Sequence, residues 1–233
     1  MNVLGLDTAA DGCSVAICIN GNIVTSYTEE KTKNKAEILM PLIAKSMSDV
    51  ELEPKQLDLI SVNVGPGSFT GLRVGVSAAR GIALATGVRC AGVTITETIA
   101  RAISERHFIE APVLVTIDSR REDMYLQLFG MKRIPVNEIF SASPDELSDK
   151  ILNLTTSKFI YIAGNNATVA SDALLKKGWQ PTILDGFNQP HARLVADLTY
   201  IKLKLGMEML EAKPLYLRAA DAIIPVAGGR LRP

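Results

Sequence analysis

A chain of 233 residues fits one large domain or two small ones, and 47% hydrophobic with 21% charged residues is ordinary globular composition, which excludes a disordered or highly charged tail. Twenty-five Lys plus Arg balance 25 Asp plus Glu, and aromatic residues make up only 5%, so neither the basic stripe nor the stacking rings of a self-sufficient nucleic-acid binder are present. No apolar run approaches the ~18 residues of a membrane-spanning helix, no signal peptide is visible, and three cysteines (Cys13, Cys18, Cys90) suit a reducing cytoplasm better than a disulfide scaffold. A cytoplasmic protein away from membranes is expected.

The run from Val3 to Thr8 reads as a buried strand ending in an acid and a hydroxyl. Ser14 to Asn20 and Ile23 to Tyr27 follow as a hairpin about Asn20-Gly21-Asn22. Asn34 and Glu37 predict a capped helix carrying Ile38, Leu39, Leu42, Ile43 and Met47 at helical spacing, with Pro41 kinking it or delaying its start. Leu57 to Val64 is a continuous apolar strand that runs into Gly65-Pro66-Gly67-Ser68, and a small-residue helix from Phe69 to Ala85 stops at Gly87. Thr94 and Glu97 cap the next helix.

The second half repeats this plan. Val113 to Asp118 is again an apolar strand ending in an acid, and Met124–Phe129 with Lys132–Val136 flank Gly130 as a hairpin. Ser143-Pro144-Asp145-Glu146 opens a helix, Phe159–Ala163 is a strand ending at Gly164, and His191–Glu211 reads as one long helix. The repeat is too long for a solenoid, so a duplicated α/β domain is expected, each half a mixed sheet covered by helices. The lobes span 1–107 and 108–222, with a flexible basic tail at 223–233 that contains Arg230 and Arg232.

Two copies of strand, acid and hairpin resemble the actin, hexokinase and heat-shock ATPase superfamily, with its actin-like (ribonuclease H-like) fold. Within it, the run Gly65-Pro66-Gly67-Ser68-Phe69-Thr70-Gly71-Leu72-Arg73-Val74-Gly75 resembles the signature of the bacterial TsaB (YeaZ) family. Asp7-Thr8 with Cys13-Ser14-Val15-Ala16, Leu39-Met40-Pro41, Asp118-Ser119-Arg120-Arg121 with Tyr125, and Pro214-Leu215-Tyr216-Leu217-Arg218 are similar to its other motifs, in order. One departure is clear: the family commonly carries a His-Ser pair before its first-helix motif, where this chain has Lys35-Ala36.

The resemblance implies a non-catalytic subunit in the synthesis of threonylcarbamoyladenosine on tRNA. It implies pairing with the catalytic relative TsaD and the ATPase TsaE, contact with tRNA through the complex, and no cofactor. Whether the isolated chain forms a homodimer stays open. Asp7, Thr8, Gly65, Gly67, Ser68 and Asp118 are the candidates for a vestigial nucleotide cleft, and a rival reading is an ATP-dependent phosphotransferase of the sugar-kinase type, which would need that cleft complete. Against it, no lysine follows Gly71 as a P-loop requires. The glycines suit a tight turn and close packing, Ser68 suits a cap, and the two acids suit turn amides. A glycoprotease is a second rival, but His107 and His191 lie far apart and make no metal-ligating pair, so no catalytic metal is expected. The Phe69–Ala85 helix is apolar nearly all round apart from Arg73 and Arg80, which predicts a partner on its open face. That interface is expected to comprise Leu39, Leu42, Ile43, Met47, Val74, Ser77, Ala78 and Ile82.

Overall fold

The computed structural model describes residues 1–32, 34–106 and 109–217, and among them the strands form two sheets. The first runs in the order β11 (Leu210–Glu211), β5 (Arg89–Val93), β4 (Leu59–Asn63), β1 (Asn2–Asp7), β2 (Cys13–Ile19), β3 (Asn22–Glu29). The second runs β10 (Gln180–Ile183), β9 (Phe159–Ala163), β6 (Val113–Asp118), β7 (Met124–Phe129), β8 (Phe140–Ala142). In each, a central strand pairs antiparallel with the hairpin that follows it and parallel with a later strand. Both central strands are covered on two faces, which is why β1 and β6 read as unbroken apolar runs rather than alternating ones. β3 at the edge alternates between half-buried and exposed residues.

Helices α1 (Lys35–Ser48) and α2 (Phe69–Thr86) lie over β2 and β4 on one face of the first sheet. α3 (Ile95–Arg106) packs on β6, while α4 (Pro144–Leu152) and α5 (Ala167–Leu175) cover the second sheet. α6 (Ala192–Lys204) crosses β1 and β2 on the face opposite α1 and touches α3. One apolar cluster sits between the first sheet and α1 and α2, and another under α4 and α5. A third joins Ala9 and Leu72 to Ile99, Ile103, Val115, Ile117, Phe129 and Leu194, so the two sheets share a core through α3.

Several boundaries differ from the sequence reading. α1 starts at Lys35 and runs through Pro41; the carbonyl of Glu37, which loses its donor, is on an exposed residue where water can take it. Asn34 does not cap the helix with its side chain but donates from Nδ2 to Glu37 Oε2 at 3.2 Å. The return expected at Lys132–Val136 is reduced to a single antiparallel bridge, Phe129 with Pro135, held by Gly130 N–H to Ile134 O and Val136 N–H to Leu128 O at 2.9 Å each. A 3-10 turn at Met131–Arg133, with Lys132 and Arg133 at positive φ, takes up the first residues, and β7 also pairs with β8. β5 and β10 carry no strand signal, since Gly92 and Pro181 interrupt them.

The last helix ends at Lys204 rather than Glu211; Gly206 at φ +64 then turns the chain so that β11 pairs with β5. α6 and β11 fall within 108–222, the span expected to form the second lobe, yet both join the first sheet. The cause is local: a Cβ on Gly5 would lie 2.5 Å from the Ala192 carbonyl, so only glycine lets α6 rest on β1. Ala192 N–H donates to Ser14 Oγ at 2.9 Å, and the Ser61 and Thr199 hydroxyls bond at 2.5 Å, fixing that contact. The 107/108 border, the 223–233 tail and Arg218 lie outside the described residues.

Candidate functional site

β1 delivers Asp7 to the rim between the sheets, where it is 2% exposed. Burial pushes its carboxyl up to about 7, against the opposing pull of the Ala9 amide and the nearby Lys35 ammonium. The Ala9 N–H donates to Oδ1 at 3.3 Å. Lys35 Nζ donates to the Thr8 carbonyl at 2.9 Å and to the Ala10 carbonyl, so its cation is held by the turn after β1. Asn63 Oδ1 accepts from the Gly65 amide at 3.3 Å, and its side-chain amide lies against the Asp7 carboxyl, whose charged form it favours.

The glycine segment lies directly on that turn. Ser68 N–H donates to the Ala9 carbonyl at 2.9 Å, and Thr8 Oγ1 donates to the Gly71 carbonyl at 2.7 Å. A Cβ would stand 2.7 Å from Ala9 O if placed on Gly67, 2.1 Å from Thr8 O on Gly71 and 2.4 Å from Thr8 Oγ1 on Gly75. Ser68 caps α2 by accepting from Gly71 N–H at 3.2 Å. The glycines thus bring backbone against backbone, and the Ser68 and Gly71 amides and the Thr8 hydroxyl are engaged with protein acceptors.

Asp118 stands apart from Asp7, exposed at the end of β6. Its Oδ1 accepts from Arg120 N–H at 2.7 Å, and its own N–H donates to Asn165 Oδ1 at 2.8 Å. Arg120 then reaches Asp11 at 3.3 Å and links the two turns across the rim. Thr8, Gly67, Ser68 and Asp7 are brought together, whereas Asp118 meets that group through Arg120 and Asp11. Among the described residues no three His, Cys, Asp or Glu side chains gather to hold a metal ion. His191 precedes α6, and its pKa is lowered by burial and by the nearby Arg193 and Arg106.

Two polar centres are not legible in the sequence pattern. Lys35 is one; its only sequence signal is the departure from the family's His-Ser pair. The other joins α3 to α6. Glu97 accepts from Thr94 N–H at 3.0 Å as the expected capping box requires, and its other oxygen meets Lys202 Nζ at 2.5 Å. Lys202 is only 6% exposed, and a lysine in an apolar helix pattern gives no hint of a buried partner 105 residues away.

The face of α1 and α2 divides in two. Leu39, Ile43 and Met47 are 1%, 4% and 5% exposed and sit in the first core, which corrects their assignment to an outward surface: the sheet already covers them. Leu42, Val74, Ala78 and Ile82 are half-buried at the edge of that core, and Ser77 is exposed. Beyond them Met40, Phe69 and Leu84 reach solvent, Leu84 at 89%. A Cβ on Gly81 would meet nothing within 4 Å, so this side of α2 is open.

Two sheets that each open with three antiparallel strands and share a core through α3 define a duplicated, actin-like α/β protein. The family model described as "TsaD: tRNA N6-adenosine threonylcarbamoyltransferase" matches residues 19–155. The tRNA threonylcarbamoyladenosine biosynthesis protein TsaB of Haemophilus influenzae is 31% identical over 94% of each chain, and TsaB of Bacillus subtilis is 25% identical over 95% of this chain and 96% of its own. The solved structure of YeaZ from Pseudomonas aeruginosa superposes with a TM-score of 0.78 at 23% identity, covering 93% of this chain and 99% of that one. The chain belongs to the TsaB (YeaZ) family.

Proposed function

We propose that this chain is a non-catalytic scaffold subunit in the synthesis of threonylcarbamoyladenosine on tRNA, working in the cytoplasm. In this reading it binds the catalytic relative TsaD through the open face of α2, and the ATPase TsaE joins the pair. The threonylcarbamoyl group arrives as an adenylate and passes to the adenosine next to the anticodon on TsaD, with tRNA meeting this chain only through the complex. The names of the TsaB relatives support the pathway. One observation carries the subunit role: the Gly67, Gly71 and Gly75 backbone lies on Thr8 and Ala9 so closely that a single Cβ would collide. The same contact engages the Thr8 hydroxyl with the Gly71 carbonyl and the Ser68 amide with the Ala9 carbonyl, two donors that a phosphate cradle would leave free. Meanwhile Leu84 and Phe69 stand 89% and 51% exposed on a helix whose other side is core.

The test is turnover by the purified chain alone, supplied with ATP and magnesium for hydrolysis and, separately, with threonylcarbamoyl adenylate and tRNA for transfer. The expected result is neither ATP hydrolysis nor tRNA modification above a blank. ATP turnover that disappears in Asp7→Ala would instead establish a working nucleotide cleft and refute the scaffold role.

A further inference from the structure

Arg73 is held in place before any partner arrives. Its guanidinium carbon lies 3.4 Å over the centre of the Phe69 ring and 5.9 Å from that of Tyr216, and its Nε donates to the Tyr216 hydroxyl at 3.0 Å. The two rings are themselves 5.7 Å apart. Next to Tyr216, Leu215 N–H donates to the Val64 carbonyl at 2.8 Å, so the segment that orients Arg73 is tied to the end of β4. Stacking fixes the plane of the guanidinium and the Nε bond fixes its rotation. No described residue bonds its terminal Nη nitrogens, which form the edge that grips an oxyanion with two parallel N–H donors.

Beside this edge is a groove of about 430 Å³, lined by Arg73, Val76, Ser77, Arg80, Pro214 and Tyr216. Its charged members are both cations, and the nearby acid Glu211 is already paired with Lys213 at 2.9 Å. An occupant must therefore be anionic. The first-turn residues Phe69, Thr70 and Gly71 of α2 are not among the groove's lining, which is made of side chains farther along the helix and of Pro214 and Tyr216, so the groove offers no helix N-terminus to a phosphate. It offers planar forks, which match a planar carboxylate. Phe69 and Tyr216 beside Arg73 and Leu84 one turn beyond Arg80 are 51%, 51% and 89% exposed, so the groove is flanked by open apolar side chains, and an arginine among such residues is a common anchor of protein interfaces.

We propose that Arg73 is a preorganised anchor that receives the carboxylate of an Asp or Glu side chain from the protein bound on α2, with Arg80 flanking it. This rests on the reading that the chain works bound to TsaD.

The experiment titrates purified TsaD of the same organism into the full chain and into Arg73→Lys, Arg73→Ala and Arg80→Ala, by calorimetry, with melting curves of each free chain. Arg73→Lys keeps the charge but loses the fork and the stacking, so it is expected to weaken binding about tenfold or more with a nearly unchanged melt. Arg73→Ala is expected to weaken it further, and Arg80→Ala less. If Arg73→Ala fails to fold, Arg73→Lys alone decides. Binding by Arg73→Lys equal to that of the unsubstituted chain overturns the anchor. So does inorganic phosphate that binds the free chain through Arg73 and competes with TsaD, since that makes the groove a phosphate site. Failure of the unsubstituted chain to bind TsaD refutes the subunit reading itself, and the anchor with it.

Discussion

At the scale of single residues, Asp7 and the glycines of α2 carry the sharpest energetic consequences. Asp7 is 2% exposed, and burial raises its pKa from the usual carboxylate range to about 7. A group that holds its proton more tightly when folded gives stability at low pH that is lost as pH rises. The loss falls between about 4 and about 7, the values for the unfolded and folded chain. Unfolding free energy measured by urea titration should therefore drop from pH 5 to pH 8, and Asp7→Asn should flatten that slope while raising stability at pH 8. An unchanged slope in the variant would place the charge of Asp7 in a better-compensated setting. The glycines separate by neighbourhood. Gly71→Ala would set a Cβ 2.1 Å from the Thr8 carbonyl and should destabilise by about 1–3 kcal/mol. Gly81→Ala meets open space within the same helix and should stabilise the free chain by up to about 1 kcal/mol. Paired chemical-denaturation curves check both, and equal effects would contradict the close contact between helix and turn.

At the scale of elements, the signals that survived are those with a local cause. The Ser143–Glu146 capping box, the Thr94–Glu97 box, the Gly87 stop of α2 and the hairpin at Asn20-Gly21 all form as their residues require. What was illegible depends on distant neighbours. β10 is a strand because β9 supplies its partners, not because Gln180-Pro181-Thr182-Ile183 favours one. α1 looked like half of an outward surface because its apolar stripe has the right period, but a period fixes a face and not its covering. Leu39, Ile43 and Met47 face β2 and the core, and of the expected surface Leu42, Val74, Ala78 and Ile82 stay half-buried and Ser77 exposed. Of the cleft residues, Asp7, Thr8, Gly67 and Ser68 come together as their sequence motifs suggest, whereas Asp118 stands apart and reaches them only through Arg120 and Asp11. Lys35 was visible only as an oddity of sequence. A charge on α2 tests the division: Ala78→Glu should leave the melt of the free chain nearly unchanged yet abolish capture by TsaD, because a buried unpaired carboxylate costs several kcal/mol in an apolar interface. Collapse of the fold would make α2 simply core.

For the whole molecule, the shared core and the α3–α6 contact bind the two sheets into one framework. Lys202 meets Glu97 at 2.5 Å and Arg101 meets Asp197 at 2.6 Å, both between these helices. Removing one partner of a pair as buried as the first leaves an uncompensated charge, so Lys202→Ala should lose about 3 kcal/mol by denaturant titration. The double change Lys202→Met with Glu97→Leu should recover part of it, and strictly additive losses would argue against a direct pair. The most direct measurement is the rate of threonylcarbamoyladenosine formation on tRNA by TsaD and TsaE, supplied with the threonylcarbamoyl adenylate, with and without this chain. The account predicts that modification depends on the chain, persists with Asp7→Asn and falls to the chain-free level with Ala78→Glu. Full activity without the chain, or activity lost with Asp7→Asn but retained with Ala78→Glu, would contradict it.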